Sequence, residues 1–296
     1  MTTDLLDAPA IDSGRAGFPE AVRSEWAKLR SVRSTWISLI VIVVAGLGFA
    51  ALFSAVIANH WKQSGPLDRA QFDPVRISQA GSFITQIVVG VLGGLIVCSE
   101  YANGSIRTTL AALPRRTTVV TSKAVVTGVV LLVITECTAF ASFFVSQAVL
   151  LASGGRQLPA GSSLLDQAKS AAIPVLSISS SGVPMALLRT GLYLTLMGIL
   201  AVGLGFLLRN TTATISVYVV VLLVIPILIQ LLPSSVREPI QPYLPSNLGV
   251  AMETVGSTHT DWAGTLLSAW PATLVIIGYS AVILAAGAVL LNRRDA

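Results

Sequence analysis

The sequence predicts an all-α integral membrane protein of six transmembrane helices, and three observations carry that expectation. Of 296 residues, 53% are hydrophobic and only 11% are charged, against about 25% charged in a soluble domain; mean hydropathy is +0.78. The apolar residues gather into six runs, near 36–58, 81–98, 119–152, 190–208, 214–232 and 270–291, each of a length suited to crossing a ~30 Å hydrocarbon core as a helix. The basic residues flank these runs unevenly. With six spans both termini share one side, which holds twelve Lys and Arg against seven on the other. Basic residues mark the cytoplasmic face, so both termini are expected in the cytoplasm. The net charge of +5 is then a topological signal rather than a sign of nucleic-acid binding.

Taken in order, residues 1–17 are polar, mixed in charge and without a signal-peptide pattern, and are read as a disordered cytoplasmic tail. From residue 18 to 296 the chain is expected to form a single transmembrane domain. Phe18 to Ser34 opens with a proline suited to a first helical turn. Val22, Trp26 and Leu29 fall near one face, with Arg23, Lys28 and Arg30 off it. That pattern suits a helix lying in the membrane surface, Trp26 at headgroup depth and the cations toward anionic lipid; an ordinary soluble helix cap is the alternative. His60 and Trp61 are expected at the far interface, followed by a mixed-charge loop from Pro66 to Arg76. The second run carries Gly90 and Gly94, a small-xxx-small pair that permits close helix approach and is also common by chance.

The third run, Val119 to Ala152, is unbroken by Gly-Pro and is read as one tilted helix with Glu136 near its middle. A mid-depth carboxylate costs roughly 2.5–3.5 kcal/mol on insertion scales. Glu136 therefore reads either as a polar contact in a translocation path or as a protonated group bonded to a neighbouring helix. Arg156 to Pro184 is Gly/Ser-rich and reads as a mobile loop, and Arg209 to Thr211 as a very short turn. Pro226 interrupts the fifth run, and the proline-punctuated stretch from Pro233 to Asp261 is too polar to cross. Cys98 and Cys137 lie in or beside apolar runs, so no structural disulfide is expected.

The polar stretch from Cys98 to Lys123 joins the second and third runs. Ile106, Leu110 and Leu113 make an apolar stripe at helical spacing, Pro114 ends that short helix, and Thr117 or Thr118 is suited to cap the next. Residue chemistry leaves two readings open: a surface for a soluble partner, or a basic loop that only sets topology.

The order Glu100-Tyr101-Ala-Asn-Gly104-Ser-Ile106-Arg107-Thr-Thr-Leu110, then Pro114-Arg115-Arg116 and Lys123, resembles the E-Y-x-x-G-T-I-R-x-T-L…P-R-R…A-K signature of ABC-2 type transporter permeases, particularly actinobacterial ones. Ser105 stands for Thr and Ser122 for Ala. Gly203 to Asn210, Leu232-Pro233 with Leu244 to Ser246, and Arg293 to Asp295 add weaker similarities. The resemblance implies an N-terminal interfacial helix, a cytoplasmic coupling helix and short re-entrant outer helices within Pro239 to Val255. It implies a second permease copy or a homologous permease, and a separate dimeric ABC ATPase that holds ATP and magnesium. Glu100, Tyr101, Gly104, Ile106, Arg107, Leu110, Arg115 and Arg116 would then form the ATPase-coupling site, with Glu100 to Leu113 seated in the ATPase groove. The function it implies is export of an amphiphilic or hydrophobic cargo, such as a drug-like metabolite, lipid or peptide, across the plasma membrane.

No phosphate-cradling G-x-x-x-x-G-K-[ST] loop occurs, so ATP hydrolysis and cofactor binding are not expected of this chain. Ser153-Gly154-Gly155-Arg156-Gln157 is only superficially like the ATPase signature S-G-G-Q. His60 and His259 lack ligand-spaced partners, so no metal is expected. An ion-driven secondary transporter would need repeats and several mid-membrane ionisable groups; a non-transporting anchor or sensor of the same fold is the third reading.

Overall fold

In the computed structural model the described residues are 17–70, 72–113, 115–157, 172–255, 260–261 and 264–293. Residues 1–16 of the expected tail (1–17), Pro114 and residues 158–171 of the Gly/Ser-rich loop lie outside them. Six helical stretches are long and apolar enough to cross a membrane: Arg33–Gln63, Ser82–Ala102, Arg116–Ala152, Val183–Leu208, Thr211–Gln230 and Ala269–Arg293.

Helix α1 (Phe18–Ser31) begins with Pro19 in its first turn, and the Gly17 N–H donates to Glu20 Oε2. Lys28 and Arg30 in its last turn complement the helix dipole. Val32 is extended and breaks the helix, and α2 (Arg33–His60) starts immediately. The Trp36 indole donates to Arg30 O at 3.0 Å and pins the bend. Two short helices, α3 (Pro66–Ala70) and α4 (Pro74–Ser78), occupy the expected loop, α4 being capped by Asp73. Trp61 is buried, with Phe72 and the Arg69 guanidinium against its ring.

Helices α5 (Ser82–Ala102), α6 (Ile106–Ala112) and α7 (Arg116–Ala152) follow. Helix α7 runs unbroken for 37 residues, about 55 Å at 1.5 Å per residue, so it extends beyond the hydrocarbon core. Its N-cap is Arg115, which corrects the expected Thr117 or Thr118: both lie within the first turn. Helix α8 (Val183–Leu208) begins seven residues before the expected span, where Gly182 at φ 86° turns the chain and Pro184 enters the first turn. It is the central post, with 72% of its apolar window buried, against 22% for α2 and for α13 (Ala269–Arg293) and 17% for the fifth span. Those three spans therefore carry most of the surface left to lipid or to another chain.

The fifth span comprises α9 (Thr211–Val219), a π-helical turn over Val220–Val224, and α10 (Ile225–Gln230). Pro226 has no N–H and crowds the preceding turn, and the wider turn absorbs both effects. Gly90 and Gly94 serve this span: a Cβ on either would meet Tyr218 or Thr214. The pair is thus an internal packing seam between α5 and α9, where Tyr218 Oη donates to Gln86 O at 2.7 Å. Beyond α10, α11 (Ser234–Ile240) and α12 (Pro245–Glu253) fold back. Leu248 and Met252 are fully buried, and Gly249 lets α12 lie against the Tyr193 ring of α8.

Candidate functional site

One end of the bundle gathers α1, α6, the start of α7, the α8–α9 turn and the end of α13. Its centre is Lys123, 1% exposed, about two turns into α7. Lys123 Nζ donates to Glu25 Oε2, to Glu100 Oε1 at 2.9 Å and to Ile96 O at 3.5 Å. Lys28 Nζ donates to Glu25 Oε1 at 2.8 Å, Glu100 Oε1 at 2.9 Å and Thr109 Oγ1 at 3.2 Å. Two ammonium groups and two carboxylates thus alternate and join α1, α5, α6 and α7. Burial works against the charge on Lys28, but its hydrogen bonds to Glu25 and Glu100 outweigh that and raise its pKa. Charges so enclosed persist only when paired and hydrogen-bonded.

Helix α1 reaches this cluster with the face that carries Ala21, Glu25 and Lys28. Ala21 packs with Leu113 and Val119, while Trp26, Arg23 and Arg30 face outward. Lys28, grouped in the sequence reading with the lipid-facing cations, is turned inward, because positions 21, 25 and 28 share a helix face. Glu25 was not foreseen. Its signal was indirect: a lone Lys123 inside an apolar run demands a carboxylate from elsewhere.

The residues expected to meet an ATPase divide into two sets. Glu100 is 8% exposed and bound within the cluster, and Ile106 and Leu113 are buried with Leu110 packed beside them. Tyr101 is half-buried under the Arg209 guanidinium at 5.3 Å. Arg116 Nη1 donates to Leu291 O at 2.7 Å and ties α7 to the end of α13. Gly104, Arg107 and Arg115 are exposed. Gly104 sits at φ 70°, in the left-handed region that favours glycine, and reverses the chain between α5 and α6. Within this chain the segment from Glu100 to Leu113 is divided between buried and exposed side chains. Its apolar stripe fills the chain's own bundle and leaves the Arg107 side outward.

Elsewhere, Glu136 is half-buried on α7 over Gly191 of α8, where any Cβ would overlap its carboxylate. Its Oε2 has no hydrogen-bond partner among the described residues. At the opposite end of the bundle, Glu253 closes α12, hydrogen-bonded by Ser82 and near Asp73 and Arg76. Burial pushes the Glu253 carboxyl up to about 7, against the opposing Ser82 and Arg76 and with Asp73 reinforcing it. Asp73 is also raised by burial, although the N–H groups of Arg76, Val75 and Val255 favour its anion. No group of three or more His, Cys, Asp or Glu among the described residues is arranged to hold a metal.

An almost wholly helical chain with six membrane-length apolar helices, around a core held by small residues and one ion cluster, defines a polytopic α-helical membrane protein. Residues 21–165 match the family model described as ABC-2 family transporter protein, a similarity that supports an ABC-2 type permease. The match runs from α1 through the whole of α7 and so contains the four-charge cluster. No curated protein matches the chain.

Proposed function

We propose that this chain is the membrane-spanning subunit of an ATP-driven exporter in the plasma membrane, with both termini cytoplasmic and ATP and magnesium held by a separate dimeric ABC ATPase. The observation that carries the reading is the four-charge cluster, which joins α1 to α5 and α7 and rests against α6 through Thr109. A push on the outward side of α6, at Arg107, or on the α6–α7 connection, at Arg115, would pass into two spans and the surface helix as one body. Well-paired, hydrogen-bonded charges resist such displacement because separating them exposes an unpaired charge. The poorly buried spans α2, α9–α10 and α13 leave surface for a second permease copy. The cargo is amphiphilic or hydrophobic, and Glu136, half-buried without a partner for Oε2, is its polar contact in the path.

The test is co-purification of the permease with a co-expressed ABC ATPase from the same genome, comparing wild type with Arg107→Glu and Arg115→Glu. These exposed positions should leave folding intact and lower ATPase recovery several-fold, with loss of cargo-stimulated hydrolysis in vesicles. Unchanged recovery in the double variant, or solute movement by the purified chain without any ATPase, would overturn the reading. Labelling of Arg107→Cys by an impermeant reagent from outside the cell would overturn the orientation.

A further inference from the structure

Beneath α1 the ion cluster borders a cavity of about 350 Å³ formed among the described residues of α1, α5 and α7 and the start of α2. Every hydrogen-bonding position on the two ammonium groups there is taken: Lys28 makes three bonds and Lys123 makes three. Both Glu25 oxygens and Glu100 Oε1 are engaged as well. Two polar atoms on lining residues are left over. Glu100 Oε2 and Thr127 Oγ1 are buried and have no partner among the described residues, in residues 8% and 1% exposed. The spare capacity of the site is therefore for accepting hydrogen bonds, beside a carboxylate. The rest of the wall is largely apolar, including Leu29, Val32, Leu95, Ile96 and Val126.

We propose that this cavity binds the primary ammonium group of an amphiphile, with Glu100 Oε2 and Thr127 Oγ1 accepting its N–H groups and the apolar wall receiving the start of its chain. A carboxylate oxygen makes charge-assisted hydrogen bonds with an ammonium, and a quaternary ammonium has no N–H to give. Anions are disfavoured because no donor on either lysine is free. The site draws on Glu100, but its occupancy does not depend on an ATPase and is read without nucleotide. Its failure is thus distinguishable from failure of the exporter reading. Two sources share this chemistry: an aminophospholipid headgroup of the adjoining leaflet, and a single-chain cationic amphiphile.

The experiment is native mass spectrometry of the full chain in detergent, challenged with equimolar phosphatidylethanolamine and phosphatidylcholine of identical acyl chains. Dodecylamine and dodecyltrimethylammonium serve as competitors. Phosphatidylethanolamine should be retained about tenfold over phosphatidylcholine, the order expected for one charge-assisted hydrogen bond. The preference should fall to near parity in T127V, which removes only an unbonded hydroxyl, and in S99W, which blocks the cavity from an exposed wall position. E100Q should weaken it too; should that variant fold poorly, T127V and S99W still decide. Displacement by dodecylamine and not by its trimethyl analogue makes the site one for the ammonium of either source. A phosphatidylethanolamine preference that neither competitor removes makes the occupant a lipid headgroup. Equal retention of the two phospholipids, or a preference unchanged in T127V and S99W, overturns the proposal and leaves the cavity to water.

Discussion

Replacing Lys123 by methionine keeps the length of the side chain and removes its charge. Lys123 is 1% exposed and is shared by two carboxylate side chains that are 5% and 10% exposed. Removing one partner of a buried ion pair costs about 3–5 kcal/mol, since the remaining charge is left uncompensated. Lys28 still reaches both carboxylates, but its side chain is 39% exposed and more open to water. The lower end, about 3 kcal/mol, is therefore expected, on the order of a hundredfold in the unfolding equilibrium. The assay is reversible unfolding in mixed micelles with increasing dodecyl sulfate, followed by tryptophan fluorescence. K123M paired with E100Q supplies the control: removing the orphaned charge should recover at least about 1 kcal/mol relative to additive single variants. A cost for K123M below about 1 kcal/mol, or strict additivity with E100Q, would refute the view that these four charges hold the end of the bundle together.

Other outcomes follow from the rest of the bundle. Glu253 has its folded pKa raised by burial from 4.5 to about 7, so the native state holds the proton more tightly than the unfolded chain. Its stabilising effect is fully present below about pH 4.5 and is lost as pH rises toward 7, a decline of about 3 kcal/mol, with Asp73 acting in the same direction. E253Q should flatten that slope in unfolding measured from pH 5 to 8; a slope identical to wild type would exclude Glu253 as its source. Gly191→Val places side-chain atoms in the space of the Glu136 carboxylate, and overpacking of this kind costs about 1–3 kcal/mol. Glu136→Ala in the same chain should restore most of that loss, and a thermal melt showing no rescue would mean the two helices do not meet there. Gly90→Val should destabilise the isolated protomer through its overlap with Tyr218; cross-linking that shows lost dimers with an undisturbed protomer would return Gly90 to an intermolecular seam.

Much of the architecture was legible because hydropathy and charge act locally. The single long helix over Arg116–Ala152 was readable from an apolar run without a breaker, and the short helix Ile106–Ala112 from the spacing of Ile106, Leu110 and Leu113. What that apolar stripe faces was not readable: periodicity identifies a helix face but not what covers it. Gly90 and Gly94 show the same limit. Small residues announce a close approach, and only packing shows that the approaching ring is Tyr218 of the same chain. The early start of α8 was hidden because Arg189 interrupts its hydropathy, whereas Gly182 and Pro184 set where the helix begins.

The amino-acid order by itself determined that this chain crosses a membrane about six times, which side carries the basic residues, and where the polar stretch between the second and third spans lies. Each of these is decided by residues near one another in sequence meeting lipid or water. Tertiary structure decided that Lys123 is matched by Glu25, 98 positions away, and Lys28 by Glu100, 72 positions away. Whether a charge near a helix end points to water, lipid or another charge depends on which faces the packed helices turn toward each other, and Glu25 takes its meaning from α7.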